Sequence, residues 1–158
     1  MIKLANFFVS LSFAGYIKLI PPGTFASFLS IVILFPIVEY KIISLEIFVA
    51  IFVIIFLLSL FFIDKFSNHT QSHDSKIIVI DEFLGIFLIL LFYDQIKIFN
   101  PYITMILIFI LFRVFDILKI FPANIVDKKI KSAFGVILDD LIAGTYTIII
   151  LYIINAYY

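Results

Sequence analysis

Long apolar runs broken by short polar stretches set the pattern of this chain. The clearest run, Ile47–Ile63, holds no charged residue. At 1.5 Å per residue in a helix it reaches about 25 Å, close to the ~30 Å hydrocarbon core of a bilayer. Five more runs accompany it: Leu4–Ile20, which carries Asn6 and Lys18 and stops at Pro21-Pro22-Gly23; Thr24–Val38, with Pro36 near its end; Ile77–Tyr93; Tyr102–Ile120; and Ala133–Ile154. The first reads as a short span or as a helix lying in the membrane interface, the others as spans. They are too long and too uniformly apolar for barrel strands, which alternate. Helices, which satisfy every backbone hydrogen bond internally, are expected instead. The expected fold is all-α: a polytopic transmembrane helical bundle of about four to six membrane helices, with residues 1–158 as a single integral membrane domain.

Composition strengthens the membrane reading. Of 158 residues 65% are hydrophobic and the mean hydropathy is +1.26, against roughly 45–50% apolar residues in soluble domains. There is no cysteine, which excludes a disulfide framework, zinc–thiolate sites and a cysteine nucleophile. The formal net charge is zero, so no nucleic-acid partner is expected. The opening Met1-Ile2-Lys3-Leu4 imitates a signal peptide, but no small-x-small cleavage site ahead of a soluble domain follows it. The N-terminus is therefore read as retained.

Lysine positions set the expected orientation. The polar stretch Pro122–Ser132 holds Lys128, Lys129 and Lys131, with Lys119 just before it. Assigning it to the cytoplasm puts Asp64–Lys76 and the Pro21-Pro22-Gly23 turn on the same side and leaves Lys41 and Lys97 opposite. Four polar motifs then fall at one depth. Pro22-Gly23-Thr24 heads the second run, Asp81-Glu82 lies near the start of the fourth, Arg113 and Asp116 near the end of the fifth, and Asp139-Asp140 near the start of the sixth. All lie within roughly 5–10 Å of the cytoplasmic ends.

Ionised groups at membrane depth cost roughly 2.5–3.5 kcal/mol each on insertion scales, so such a layer marks function. Asp81, Glu82, Asp116, Asp139 and Asp140 cannot all stay ionised together without cations. Hard oxygen ligands at this density suit Mg²⁺, and after it Mn²⁺ or Ca²⁺. Neighbours on a helix stand about 100° apart, so in at least one pair one member is expected to point elsewhere, as an N-cap or as a salt-bridge partner of Arg113. Arg113, Asp116 and Lys119, spaced i, i+3, i+6, are expected to share a helix stripe. They form either a self-neutralising pair or an anion clamp, the Arg offering a fork and the Lys a point charge. Thr24, at the head of a helix, adds a hydroxyl and free N–H groups, which suit phosphate as well as simple capping. His69 and His73 read as solvated loop residues, with His73 in reach of the site as a proton carrier.

At these residues the chain resembles the phosphatidylglycerophosphatase A family. The matching motifs are Pro22-Gly23-Thr24 with Ser27; Ile78-Val79-Ile80-Asp81-Glu82-Phe83-x-Gly85, preceded by His73-Asp74; Phe112-Arg113-x-Phe115-Asp116-x-x-Lys119-x-x-Pro122; and Gly135-x-x-x-Asp139-Asp140-x-x-Ala143-Gly144. They stand in family order and at family spacing from about Gly15 to Tyr152. Ala26 stands where a Gly is usual, Ser75 where Pro often follows His-Asp, and the Gly-rich run before Pro-Gly-Thr is reduced to Gly15. The resemblance implies a phosphatase of the bacterial inner membrane, its site facing the cytoplasm. It would remove the terminal phosphate of phosphatidylglycerophosphate to give phosphatidylglycerol, using Mg²⁺. On that reading Glu82, Asp139 and Asp140 are expected to hold Mg²⁺, with Asp81 or Asp116 the nearest further ligand. Arg113 and Lys119, helped by Thr24, clamp the substrate phosphate. Asp81, Asp116, Arg113 and Lys119 make up the catalytic set, one carboxylate activating water or attacking directly. Membrane lipids are the other expected partners.

The main rival is a transporter or proton- or cation-coupled protein, since intramembrane acids with one Arg also mark ion pathways. A relay needs carboxylates strung across the membrane, and these cluster at one face. A second rival, a CDP-alcohol phosphotransferase, would show an Asp-Gly…Ala-Arg…Gly…Asp…Asp run, which this sequence lacks.

Overall fold

The computed structural model describes residues 2–17, 19–70, 75–98 and 100–157. Among the described residues the chain forms helices α1 (Ile2–Val9), α2 (Pro22–Glu39), α3 (Leu45–Thr70), α4 (Ile80–Leu91), α5 (Tyr93–Ile96), α6 (Pro101–Leu118), α7 (Ala123–Lys129) and α8 (Ala133–Ala156), with a 3₁₀ turn at Ala14–Tyr16 and no strand. Four of them, α2, α3, α6 and α8, are long and apolar enough to cross a membrane. We call the end where α2, α4 and α8 begin and α3 and α6 finish the polar end.

Helix α4 is the axis of the bundle, packed against α2, α3, α6 and α8. Leu84, Ile86, Phe87 and Ile89 are fully buried. The Phe87 ring meets Phe48 and Phe52 of α3, at 4.4 and 5.4 Å between centroids. The run Ile77–Tyr93, expected to span, thus yields a helix of 12 residues, about 18 Å long. The cause is tertiary. Val79, with φ −141°, stands outside the helix and donates its N–H to Val9 O at 2.9 Å. Surrounded by longer helices, α4 need not meet lipid at its ends, where a free backbone would be costly.

The first segment does not cross. Helix α1 has eight residues, about 12 Å. Leu11, Ser12 and Phe13 then take positive φ and turn the chain back, Ser10 Oγ accepting from Phe13 N at 3.1 Å. Phe8 packs on Phe62 of α3. Gly15 lies so near the segment before α4 that a Cβ there would overlap Ile77 O. Lys18, His73 and Asp74 lie outside the described residues.

Outward-facing Val49, Val53, Ile54, Leu57, Leu58 and Phe61 give α3 a broad exposed apolar face, a surface that calls for lipid. The buried hydroxyls of Ser27, Ser30, Ser59 and Thr147 donate to the carbonyls of Gly23, Ala26, Ile55 and Ala143 in their own helices. That satisfies them where water is absent. Helix α3 runs on to Thr70, taking the start of the polar stretch into the helix, and α7 forms inside what the sequence presents as a loop.

Candidate active site

Two glycines bring the acids together. Gly85 of α4 and Gly144 of α8 meet where these helices cross: a Cβ on Gly144 would lie 2.9 Å from Gly85 O, and one on Gly85 would press into Phe112. Small residues allow this close approach. Asp81 and Asp140 each lie four residues, one turn, before a crossing glycine, so they extend from the same contact towards the polar end. Asp81 and Glu82 fall in the first turn of α4, where the helix dipole favours carboxylates.

Asp81, Glu82 and Asp140 converge, with one carboxylate oxygen from each lying within 4.8 Å of the other two. A cation with oxygen ligands at about 2.0–2.6 Å needs donors about that far apart. Asp140 is 4% exposed. Asp81 Oδ1 and Glu82 Oε2 are buried with no hydrogen-bond partner. Buried carboxylate oxygens left without donors are what a divalent ion would satisfy, so this donor set fits a hard cation such as Mg²⁺.

Arg113 flanks the trio from α6. Its Nη1 lies 2.6 Å from Asp116 Oδ2, 3.8 Å from Glu82 Oε1 and 3.4 Å from Ser27 Oγ, to which it donates. Its Nε is buried and without an acceptor. The start of α2 closes the site: a Cβ on Gly23 would overlap Glu82 Oε1 and crowd Arg113 Nη1. Thr24 sits half-buried in the same first turn.

Lys119 leaves the Arg113–Asp116 stripe. Helix α6 stops at Leu118, and Lys119 takes the left-handed C-cap position with φ 43°. Its Nζ donates to Asp127 Oδ1 of α7 at 2.6 Å and to Asp139 Oδ2 of α8 at 2.7 Å. Partial burial disfavours its charge, but the two carboxylate hydrogen bonds outweigh this and hold its pKa above the usual lysine value. Asp139 therefore faces Lys119, and Asp81 stands with Glu82 and Asp140 in the carboxylate trio.

Beside Glu82 and Arg113 opens a pocket of about 670 Å³. Ile17, Leu19, Ile20 and Ile78 wall it, Pro21, Pro22 and Gly23 border it, and Lys76 completes the lining. An acidic trio with buried, unpartnered oxygens, an arginine with a free donor and a half-apolar pocket together fit an anionic head group on an apolar molecule.

Comparison with known proteins gives the family. Residues 7–155 match the family model described as phosphatidylglycerophosphatase A. The chain belongs to the phosphatidylglycerophosphatase A family. It is 31% identical over 134 residues to a phosphatidylglycerophosphatase A of Haemophilus influenzae, covering 85% of this chain and 78% of that relative. It is 31% identical over 83 residues to a phosphatidylglycerophosphatase A of Escherichia coli K12, covering 52% of this chain and 46% of that one. No solved structure matches the chain.

As a member of this phosphatase family the chain is a phosphoric monoester hydrolase, and residues that the sequence motifs did not single out stand beside the candidate site. Asp127 is the only acid between Pro122 and Ser132, among three lysines, and so reads as a solvated charge. Yet it holds Lys119, while its backbone carbonyl accepts from Lys131 Nζ at 2.6 Å. Ser27, named in the first motif, lies one turn after Gly23, a spacing that puts its hydroxyl on the same face of α2. Asn124 Oδ1 of α7 is a further buried acceptor without a partner.

Proposed function

We propose that this protein removes the terminal phosphate of phosphatidylglycerophosphate to give phosphatidylglycerol, with Mg²⁺ held by Asp81, Glu82 and Asp140. The observation that carries this reading is the pair of buried, partnerless oxygens, Asp81 Oδ1 and Glu82 Oε2, beside the partnerless Arg113 Nε. Anion-binding and cation-binding capacity thus stand side by side at the foot of one pocket.

A phosphate monoester dianion needs positive charge around it, since phosphoryl transfer depends chiefly on positioning and charge stabilisation. Bound Mg²⁺ supplies Lewis-acid stabilisation of the phosphoryl oxygens. Arg113 offers its free Nε–H to a phosphate oxygen, while Asp116 and Ser27 hold Nη1 and so fix the plane of the fork. Thr24 and the free N–H groups belong to the first turn of α2, whose Gly23 borders the pocket, and would add donors for the phosphate. Lys119 keeps Asp139 neutralised beside the trio. The bond broken joins phosphorus to the lipid glycerol oxygen. That oxygen leaves with a proton, and the oxygen of water ends on inorganic phosphate.

A site at the start of α4 and α8, near the lysine-bearing α7, supports a position at the cytoplasmic face of a bacterial inner membrane. A transport role finds little support. Phe83–Leu91 of α4 and Leu141–Ala156 of α8 carry no charged residue, so no chain of ionisable groups leads from the acids through the bundle.

The experiment is direct. Purified protein in detergent is given phosphatidylglycerophosphate, and released phosphate is measured with Mg²⁺ and with EDTA. Release that stops with EDTA and returns on adding Mg²⁺ is expected. Equal release under both conditions rejects the metal, and no release under either rejects the activity.

A further inference from the structure

The pocket that ends on Glu82 and Arg113 carries a second cation. Lys76 lines it, stands four residues ahead of α4, is exposed, and makes no hydrogen bond or ion pair among the described residues. It therefore stands with its charge exposed at the mouth, while Arg113 sits largely enclosed at the foot. A long, flexible lysine at a membrane-facing rim places its head in the polar interface and its stem along apolar walls. Those walls are Ile17, Leu19, Ile20 and Ile78. At about 670 Å³ the pocket falls in the usual range of small-ligand sites, roughly 300–1,000 Å³, ample for a phosphorylated glycerol.

The proposed substrate bears two phosphates: the terminal monoester, and a phosphodiester one glycerol unit away that joins the head group to diacylglycerol. With the monoester at Arg113, the glycerol extends along the pocket and the diester comes to the mouth, where the acyl chains turn into lipid. Resting on the function proposed above, we infer that Lys76 binds this phosphodiester. It thereby selects a lipid with two phosphates over one whose only phosphate is the monoester. Arg113 recognises what is cleaved; Lys76 recognises what remains.

The test compares full-length wild type, Lys76→Ala and Lys76→Arg in mixed micelles. The substrates are phosphatidylglycerophosphate and phosphatidate, a diacylglycerol lipid with a single phosphate monoester. If phosphatidate is not turned over, its inhibition constant against phosphatidylglycerophosphate takes the place of its rate. A lost contact to a charged oxygen predicts an about tenfold fall in kcat/KM of Lys76→Ala on the two-phosphate lipid, carried by KM. Phosphatidate turnover or inhibition stays as in wild type. Lys76→Arg retains the preference, and salt shrinks the preference of wild type but not that of Lys76→Ala. An equal loss towards both lipids would mean that Lys76 only draws the protein to anionic micelles, and would overturn the inference. So would no loss on the two-phosphate lipid. Wild type that releases phosphate beside an unaffected Lys76→Ala defeats this inference alone; wild type that releases none defeats the proposed function with it.

Discussion

Two groups of charged residues sit at opposite ends of this bundle, and their partners separate their roles. At the far end, Glu39 accepts from Tyr93 Oη at 2.5 Å and from Lys97 Nζ at 2.8 and 3.1 Å, and Lys41 lies 3.6 Å from Asp94. Both oxygens of Glu39 are occupied. At the polar end, Asp81 and Glu82 each keep a buried oxygen with no partner, and Arg113 keeps a buried Nε. A fold that left such groups bare for structure alone would be destabilised by about 1–3 kcal/mol for each. The far-end group closes on itself; the polar-end group awaits a ligand. A pocket of about 400 Å³ also lies at the far end, beside Tyr93 and Asp94, but no cluster of carboxylate donors opens into it among the described residues. Pocket volume does not distinguish the two ends, while unsatisfied buried donors and acceptors do.

Asp140→Asn tests that contrast most severely. It removes one charge from the trio and keeps its shape. Several kcal/mol of charge stabilisation are at stake, so turnover is expected to fall by about 10³-fold. Helix content and elution as a folded particle should be unchanged, since relief of repulsion among buried acids does not weaken the fold. Activity within a factor of two of wild type would remove Asp140 from the site. Asp139→Asn gives the internal control: Lys119 holds Asp139 outside the trio, so its loss should be clearly smaller.

Gly23→Ala comes next. The added methyl would overlap Glu82 Oε1 and push either that carboxylate or the start of α2 aside. A shift of about 1 Å in a positioned group costs up to about 10² in rate. Phosphate release together with a Mg²⁺ titration reads the result. The expectation is a lower kcat with weaker metal dependence, and an unchanged profile would mean that α2 does not close the site.

Span lengths were legible in the sequence because an apolar run has a minimum length in lipid, and α2, α3, α6 and α8 follow from that alone. The length of α4 was not, since it depends on Val79 bonding to Val9, 70 residues away in sequence. That acids from α4 and α8 gather at one end of the bundle was readable from topology. Which acid of the second pair faces the trio was readable only with the glycines: Asp140, like Asp81, has glycine four residues on, and Asp139 has Ala143 instead. The i, i+3, i+6 stripe held for Arg113 and Asp116, but Lys119 left it when α6 ended. Asp127 was hidden because an acid among lysines has the composition of a solvated loop, and only the fold of α7 against α8 gives it Lys119 as a partner.

Asp127→Asn probes that hidden member, with a smaller expected effect. The Lys119–Asp127 pair is about one-third exposed on both sides, so solvent screens it and it contributes about 1 kcal/mol or less. If that contribution is spent on positioning Lys119, kcat/KM falls about fivefold. A double change with Lys119→Ala separates positioning from independent action. Once Lys119 is gone, Asp127→Asn should cost nothing further, and additive losses would show that Asp127 acts without Lys119.

The smallest effect belongs to the far end, and there the comparison is sharpest. Glu39→Gln leaves a side chain of the same shape that still accepts from Tyr93 but loses its charge pairing with Lys97. Lys97 is 37% exposed on its side chain, so water takes over part of its solvation. The loss is expected to be about 1 kcal/mol of stability, visible as a modestly lower thermal midpoint in detergent. Phosphate release should match wild type, because no residue of this cluster reaches the trio or its pocket. A drop in turnover as large as that of Asp127→Asn would mean that the two ends are coupled through α4, whose buried face runs unbroken from Phe83 to Leu90 but for Leu88. Closed and ligand-ready clusters would then be parts of one device rather than contrasting uses of charge in the same bundle.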